Sequence, residues 1–290
     1  MTLPVDFHFS QASLQDYVEC RRRFQLRYLV KLAWPAVEAQ PVLENERQIQ
    51  IGGQFHRLIQ QYLVGIDVDH LSRLAQGTDL QIWWQNYLRY AESIPGGRGL
   101  IGSGGNCQVE SSLTASIHNY RLIAKYDAVI LTGTDDNAKV VIYDWKTSSK
   151  RPPRAWLAKR LQTRIYPYLM VRSGASFNKG FPLLPERIEM VFWFSNFPED
   201  PERFYYNSSQ YEQDDRYLKL LIQEIDSLSP DAFYLTNHEK NCRFCTYRSL
   251  CDRGIDAGSV DEVEFEGPGD EEQQQAVPIL DFEQVTEIEF

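Results

Sequence analysis

Hydrophobic residues between positions 108 and 148 fall into three runs, rich in β-branched and aromatic side chains, that predict three consecutive strands. The runs cover residues 108–117, 120–131 and 139–148, and short polar turns separate them. Because short turns join neighbouring antiparallel strands, the three runs predict an antiparallel meander. Further apolar runs at 188–194 and near 204–206 predict two more strands.

Apolar residues spaced three and four positions apart predict helices before and after these strands. The first helix is expected from a capping box formed by Ser13 and Asp16 to about Val30, and the second from Gly52 to about residue 63. A third helix contains four aromatic residues that we interpret as core rather than as a platform for stacked bases: Trp83, Trp84, Tyr87 and Tyr90.

Two helices are predicted after the meander, at about 154–171, with a kink at Pro167, and at about 209–228. Strands followed by a crossover helix and another strand predict an α/β fold, in which a mixed sheet is flanked by helices. The apolar content of 43% is ample for such a core. No run has the roughly 18 apolar residues of a membrane span, and the first residues do not resemble a signal peptide. We therefore expect a soluble, cytoplasmic protein with no membrane partner.

The net charge of −10 is concentrated at the carboxyl end of the chain. Residues 257–290 contain eleven acidic and no basic side chains, whereas residues 1–256 contain 29 acidic and 30 basic side chains and are nearly neutral. We expect a compact domain over 1–256 and an acidic, disordered tail over 257–290. Two alternatives stay open for the tail: it competes with DNA for a basic groove, or it docks a partner through residues 279–282.

Candidate chemistry lies at the end of the third strand, where Asp144 and Lys146 are two positions apart. Strand side chains alternate between faces, so Asp144 and Lys146 share one face and Trp145 points to the other. A carboxylate binds hard divalent cations, and a lysine ammonium contacts phosphate. Alone, this spacing is more typical of two solvated charges at the end of a strand.

Two other polar residues lie in apolar surroundings. Asp127 interrupts the apolar run of the second strand, and a buried carboxylate needs a metal, a base or a donor nearby. A metal shared with Asp144 and an ion pair with Lys125 or an arginine are both possible. His56 lies beside the apolar stripe of the second helix, where a structural role and a ligand role both stay open.

The five cysteines do not form the even set of a disulfide framework. Three of them, Cys242, Cys245 and Cys251, are close in sequence, while Cys20 lies near the other end of the chain. Four thiolates suit zinc and an iron–sulfur cluster alike. Cys107 lies outside this pattern, and we expect it to be a buried apolar residue.

The order His56, Asp127, Asp144-Trp145-Lys146 and Gln162-x-x-x-Tyr166 resembles the RecB-like branch of the PD-(D/E)XK nuclease superfamily. The resemblance covers residues 9–254 and extends to the cysteines, whose one-plus-three arrangement is similar to that of AddB-type and CRISPR-associated RecB-like exonucleases. It implies a restriction-endonuclease-like sheet with a helical insertion at about 30–105. It also implies a 4Fe-4S cluster on Cys20, Cys242, Cys245 and Cys251, with zinc as the alternative.

The resemblance implies a metal-dependent DNA nuclease, most simply an exonuclease in repair, recombination or CRISPR spacer processing. His56, Asp127 and Asp144 would bind Mg²⁺ or Mn²⁺. Lys146 would orient water or neutralise phosphoryl charge, and Gln162 and Tyr166 would position the DNA strand. The alternative is a non-cleaving or partner-dependent subunit beside a helicase or integrase. The sequence contains no phosphate-binding loop of its own, so a motor would be a separate chain.

Overall fold

A computed structural model describes residues 3–4, 6–33, 42–94, 106–243 and 245–254 of the chain. Its centre is a mixed sheet of six strands. In chain order these are β1 (His8–Ser10), β2 (Asn106–Ile117), β3 (Tyr120–Thr132), β4 (Lys139–Lys146), β5 (Ile188–Phe194) and β6 (Phe197–Tyr205).

The meander predicted for β2, β3 and β4 is confirmed, because β3 pairs antiparallel with both of its chain neighbours. β4 and β5 run parallel, joined by a helical crossover, and β6 closes the sheet antiparallel to β5. The predicted mixed α/β sheet is therefore observed. β4 ends at Lys146, two residues earlier than the sequence predicts.

One edge of β3 is shared by two strands. β1 pairs with residues 121–123, in parallel, whereas β4 pairs with residues 128–132. The segment between them, residues 124–127, pairs with neither β1 nor β4. This interruption leaves one edge of β3 without a strand partner at Asp127, and the candidate site lies there.

Helices cover both faces of the sheet. They are α1 (Gln11–Glu19), α2 (Arg21–Phe24), α3 (Val42–Leu63), α4 (Val68–Leu74), α5 (Thr78–Ser93), α6 (Arg154–Lys159), α7 (Leu161–Ser173) and α8 (Ser208–Ser227). The first core lies between the sheet and α1, α7 and α8, and the second lies between the sheet and α3, α4 and α5. The four aromatic residues of α5 are buried in the second core, as the sequence predicts.

The first predicted helix is wrong in two details. Its amino terminus is capped by Ser10, which forms the capping box with Ser13, so Ser13 lies inside the helix rather than at its cap. The helix is also interrupted at Cys20, whose backbone is extended and which separates α1 from α2. A π-helical turn, Gln25–Leu29, then continues α2.

The helix predicted at 154–171 is likewise divided. Arg160 adopts an extended conformation between α6 and α7, and its side chain turns inward to Glu19 on α1, at 2.8 Å. The ion pair with a distant helix outweighs the local helical preference of the segment. Pro167 lies inside α7.

A buried charge network joins α1, α2 and the start of α7. Glu19 pairs with Arg160 and Arg23, and Asp16 pairs with Arg23 at 2.7 Å and with Arg27 at 3.3 Å. Arg23 belongs to a run of three consecutive arginines, residues 21–23, a pattern typical of a solvated helix face. Arg23 is instead buried in this network, while Arg21 and Arg22 are half-buried.

The network makes stability depend on acid pH. Burial acts to raise the pKa of Glu19, but the charges of Arg23 and Arg160 outweigh it, so the pKa lies below its ordinary value of 4.5. A depressed pKa contributes stability above the unfolded-state pKa, and that contribution is lost as pH falls through the folded-state pKa. We expect urea unfolding of the wild type to lose stability below about pH 4.5 more steeply than unfolding of Glu19→Gln. Parallel pH profiles for the two proteins would contradict the assignment.

Several predicted features lie outside the described residues. These are part of the helical insertion, at residues 34–41 and 95–105, and the acidic tail 257–290. None of the helices in the described part of the chain is both long enough and apolar enough to span a membrane.

Candidate active site

β4 presents Asp144 and Lys146 on the face of the sheet that carries Val140 and Ile142 toward the first core. The Lys146 ammonium lies 2.8 Å from the Asp144 carboxylate. Trp145 points to the other face and packs in the second core. The predicted alternation is therefore confirmed. Asp144 is only 2% exposed, so its charge is held by partners rather than by solvent.

Gln162, in the first turn of α7, bridges this pair. Its amide nitrogen donates to Asp144 at 2.5 Å, and its carbonyl oxygen accepts from Lys146 at 3.2 Å. The neighbouring backbone N–H of Leu161 donates to Gln15 of α1 at 3.1 Å, which fixes the start of α7. The structure thus brings Asp144, Lys146 and Gln162 into one hydrogen-bonded triangle.

Asp127 lies on β3 next to the end of β4. One carboxylate oxygen accepts from the backbone N–H of Trp145 at 2.8 Å, and the other lies 3.3 Å from Nδ1 of His56 on α3. The alternative ion pair between Asp127 and Lys125 does not form, because Lys125 pairs with Glu110 at 2.6 Å. His56 and Asp127, 71 positions apart in sequence, are therefore direct neighbours.

The geometry of β3 changes at Asp127. Before it, residues with even numbers, such as Ala124 and Tyr126, face the first core; after it, Ala128 and Ile130 face the second core. The β2–β3 register is the same on both sides of this point. Glu110, opposite Asp127 on β2, has a positive φ of 50°. A local irregularity in β2 and β3 therefore reverses which residues of β3 face each core, and it lies at Asp127.

Electrostatic coupling joins the two halves of the site. Burial acts to lower the pKa of His56, but the negative charge of Asp127, with a smaller contribution from Asp144, raises it above its ordinary value. Burial acts to raise the pKa of Asp127, and His56, the Trp145 N–H and Lys146 together lower it. His56, Asp127, Asp144 and Lys146 therefore share one electrostatic environment.

Tyr166 lies one turn beyond Gln162 on α7 and is fully buried. Its backbone carbonyl accepts from the Tyr126 hydroxyl at 2.9 Å, and the two rings are 4.9 Å apart. Tyr166 also lines a cavity that reaches Asp127 and His56. All six core residues of the predicted site, His56, Asp127, Asp144, Lys146, Gln162 and Tyr166, are thus placed around one region of the sheet.

The chemistry of these residues suits a hard divalent cation. Asp127 and Asp144 offer carboxylate oxygens, and Nε2 of His56 is buried without a hydrogen-bond partner among the described residues. Within the described residues, no three His, Cys, Asp or Glu side chains are already arranged to hold a metal ion. These side chains are of the types that bind a divalent metal ion. The Asp144 carboxylate, however, already contacts Lys146 and Gln162, and the Asp127 carboxylate accepts from the Trp145 N–H.

Cys242, Cys245 and Cys251 lie near enough to Cys20, between α1 and α2, for its charge to affect their pKa values, but no three of the described cysteines are arranged to hold a metal ion. Asn241, next to Cys242, donates to the Glu19 backbone carbonyl at 3.0 Å and holds this segment against α1. Burial, followed by the proximity of Cys20, raises the pKa values of the Cys242 and Cys251 thiols, and burial raises the pKa of Cys245 to about 11. The described cysteines are all free thiols. Cys107 is separate, half-buried against the second core, and burial raises its pKa to about 11.

The residues that sequence reasoning missed are Gln15 and Trp145 N–H, which position Gln162 and Asp127. Gln15 lies within a helix that carries no visible catalytic motif, and a backbone donor leaves no mark in the sequence. Only the contacts across the fold identify them.

Comparison with known proteins places the site in a family context. The model of the PD-(D/E)XK nuclease superfamily matches residues 8–252. No curated protein matches the sequence. Among solved structures, the chain is similar to a candidate exonuclease from Eubacterium rectale, with 10% identity, a TM-score of 0.46, and coverage of 75% of this chain and 79% of that one. It is also similar to the protein SSO0001, with 14% identity, a TM-score of 0.39, and coverage of 87% and 88%.

Proposed function

The chain belongs to the PD-(D/E)XK nuclease superfamily, and on that premise we propose that it is an Mg²⁺- or Mn²⁺-dependent deoxyribonuclease that acts as an exonuclease on DNA ends or single strands. The observation that carries the proposal is the convergence of the Asp144–Lys146–Gln162 triangle with the Asp127–His56 pair. These groups come from four separate elements, namely α3, β3, β4 and α7.

His56, Asp127 and Asp144 would hold the divalent ion. When bound, such an ion supplies Lewis acidity toward the scissile phosphate and lowers the pKa of water. Lys146, released from its contact with Asp144, donates to a phosphoryl oxygen on which negative charge grows. Gln162 hydrogen-bonds to the Lys146 ammonium and to the Asp144 carboxylate, and so fixes the position of each group. In the overall hydrolysis, water oxygen bonds to phosphorus, one P–O ester bond breaks, and a proton reaches the leaving oxygen.

The test is cleavage of end-labelled single- and double-stranded DNA by anaerobically purified full-length protein, with Mg²⁺, Mn²⁺ or EDTA. We expect cleavage only when Mg²⁺ or Mn²⁺ is present. The labelled DNA should become progressively shorter from one end. Protein that is folded and metal-loaded yet leaves both substrates intact would refute the nuclease proposal.

Replacing Gln162 with alanine is expected to lower activity about 10- to 100-fold, because groups that orient metal-binding and catalytic side chains have effects of this size. Raising the Mn²⁺ concentration should restore part of the loss if Asp144 has become a weaker ligand. The matched control is Gln85→Ala, at an exposed position on α5. Equal rates for Gln162→Ala and Gln85→Ala would remove Gln162 from the site.

We also propose that the chain is a RecB-like member in which Cys20, Cys242, Cys245 and Cys251 bind a 4Fe-4S cluster. The charge of Cys20 contributes to the raised pKa values of Cys242, Cys245 and Cys251. This proximity of Cys20 to the triplet supports a shared metal site. A cluster would connect α1 to the carboxyl end of the compact part, closing a nuclease domain over residues 1–256 with a helical insertion at about 30–105. Zinc is the alternative occupant of four thiolates.

Metal analysis decides between these occupants. Protein purified without oxygen is expected to be brown and to contain iron and sulfide, and Cys20→Ser is expected to lose both. Because a structural cluster contributes folding energy, the variant should also unfold at a lower temperature. Stoichiometric zinc without iron would contradict the cluster.

A second candidate function is a DNA-binding subunit whose cleavage depends on a separate helicase or CRISPR integrase. It is favoured by the carboxylate oxygens of Asp127 and Asp144, which already contact donors within the protein. A partner would have to shift these contacts before a metal could bind. In both proposals we expect the protein to act in the cytoplasm. The acidic tail, residues 257–290, would lie outside the nuclease domain in both.

A further inference from the structure

A cavity of about 310 Å³ adjoins the candidate active site and is not accounted for by the proposed chemistry. Its walls come from the first turn of α1, one side of α3, and β2 and β3. Asp127 and His56 form the boundary between the cavity and the Asp144–Lys146 pair. A volume of this size is at the lower end of the range for small-molecule sites, and it exceeds what one metal ion requires.

The divided edge of β3 creates this space. β1 stops pairing at Ile123 and β4 begins at Ala128, so this edge of β3 has no strand partner between them, while its other edge pairs with β2. The cavity is lined by Ile123, Ala124 and Asp127 from this part of β3. It is therefore a consequence of the sheet topology and not of one mobile side chain.

Gln11 is the unexplained polar group in this cavity. Its side chain is 2% exposed, and neither its amide nitrogen nor its carbonyl oxygen has a hydrogen-bond partner among the described residues. A buried amide without partners costs free energy of folding, so such a group is expected to have a ligand. Gln15, one turn later on α1, differs in that both of its polar atoms are bonded within the protein.

The charges around the cavity indicate what kind of ligand it accepts. Asp127 and Glu110 place carboxylates in its wall, and the Lys125 ammonium is already paired with Glu110. A phosphate held inside would face these carboxylates, and it would offer no donor to the Gln11 carbonyl oxygen. A nucleobase is uncharged and presents a donor and an acceptor side by side, which matches a carboxamide.

At the entrance, Arg57 and Gly53 lie on the same side of α3. Arg57 is exposed and lines the rim, where it can contact a strand phosphate outside the cavity. A Cβ atom added to Gly53 would have no heavy atom within 4 Å. The helix therefore leaves open space at this position, next to the candidate active site.

We propose that the cavity receives one unstacked nucleobase of the DNA strand, next to the phosphate that is cut, and that Gln11 hydrogen-bonds to the edge of that base. The inference rests on the proposed nuclease function and names a binding subsite for its substrate. Arg57 contacts the adjoining phosphate at the rim. The base anchors the strand, so that the next phosphodiester lies beside Asp127 and Asp144.

The test measures DNA binding in EDTA, where no hydrolysis occurs. Fluorescence anisotropy compares a short labelled oligo(dA) with a strand of equal length that carries phosphates and sugars but no bases. We expect wild type to bind the base-containing strand about tenfold or more tightly, since contacts to a single base are of this order. Gly53→Leu, which fills the entrance, is expected to lose that preference. Gln11→Ala is expected to lose about fivefold, as for one neutral hydrogen bond.

The matched control is Gln54→Leu, which adds the same side chain one position later at an exposed site outside the cavity wall. It should keep the wild-type preference. Leucine is a better helix former than glycine, so Gly53→Leu should remain folded, and its thermal unfolding checks this. Gly53→Leu that still prefers the base-containing strand as strongly as Gln54→Leu would overturn the proposal, as would a wild type with no preference.

The two proposals fail in different ways. Base-dependent binding that Gly53→Leu abolishes, without cleavage in Mg²⁺ or Mn²⁺, leaves the subsite standing and refutes the nuclease activity. Metal-dependent cleavage together with base-independent binding refutes the subsite and leaves the nuclease activity standing.

Discussion

Lys146→Ala is expected to lower the rate of DNA cleavage about 10²- to 10³-fold, the size of effect seen when one donor to a developing oxyanion is removed. The ammonium is held at the site by Asp144 at 2.8 Å and by Gln162 at 3.2 Å, so it is oriented before substrate arrives. The alanine side chain cannot donate a hydrogen bond to the phosphoryl oxygen. The loss should appear in kcat more than in KM, because the lysine acts on charge that grows during the reaction.

The measurement is a single-turnover rate on end-labelled DNA with saturating Mn²⁺. Lys219→Ala serves as the control, because Lys219 lies on α8, which contributes no residue to the candidate site, and pairs with Asp215 of the same helix. Removal of Lys146 leaves Asp144 buried with fewer partners, so circular dichroism must show that the variant is folded. A folded Lys146→Ala protein that cleaves as fast as Lys219→Ala would exclude a catalytic role for the lysine.

Glu19→Ala is expected to destabilise the protein by about 3–5 kcal/mol, because it removes one partner from a buried charge network. Glu19 is 5% exposed, and its carboxylate pairs with both Arg23 and Arg160. Without Glu19, the buried Arg160 guanidinium stays beside Trp156 but has lost the carboxylate with which it pairs. Urea unfolding monitored by tryptophan fluorescence gives the free energy of unfolding.

Asp200→Ala is the control for this measurement. Asp200 pairs with Arg151, but its side chain is 69% exposed, so its loss should cost about 0–1 kcal/mol. Arg160 precedes the first turn of α7, so Glu19→Ala should also lower cleavage through a displaced Gln162. Equal stabilities for Glu19→Ala and Asp200→Ala would show that the network does not hold α1 and α7 together.

Several features of the fold follow from local patterns that are short in sequence. The bounds of β5, Ile188–Phe194, were predicted correctly, because a buried strand is a nearly continuous apolar run that can be located in the sequence. The division of the 154–171 helix could not be predicted in this way. It depends on the ion pair between Arg160 and Glu19, which are 141 positions apart.

The candidate site shows the same contrast. The period of two residues along β4 was sufficient to place Asp144 beside Lys146 and Trp145 in the opposite core. From the sequence, Asp127 could share a metal with Asp144 or form an ion pair with Lys125 or an arginine. The structure instead pairs it with His56 and a backbone N–H, and gives Lys125 to Glu110.

The sequence by itself determined the order of β2 to β6, the antiparallel meander, the Asp144–Lys146 face and the resemblance to the PD-(D/E)XK nuclease superfamily, whose model matches residues 8–252. These depend on periodicity and spacing, which act over a few residues. Only the tertiary structure decided the partners of Asp127, the break at Arg160 and the cavity around Gln11. Each of these results from charge or space shared by segments distant in sequence, which the chain acquires only when its sheet and helices pack.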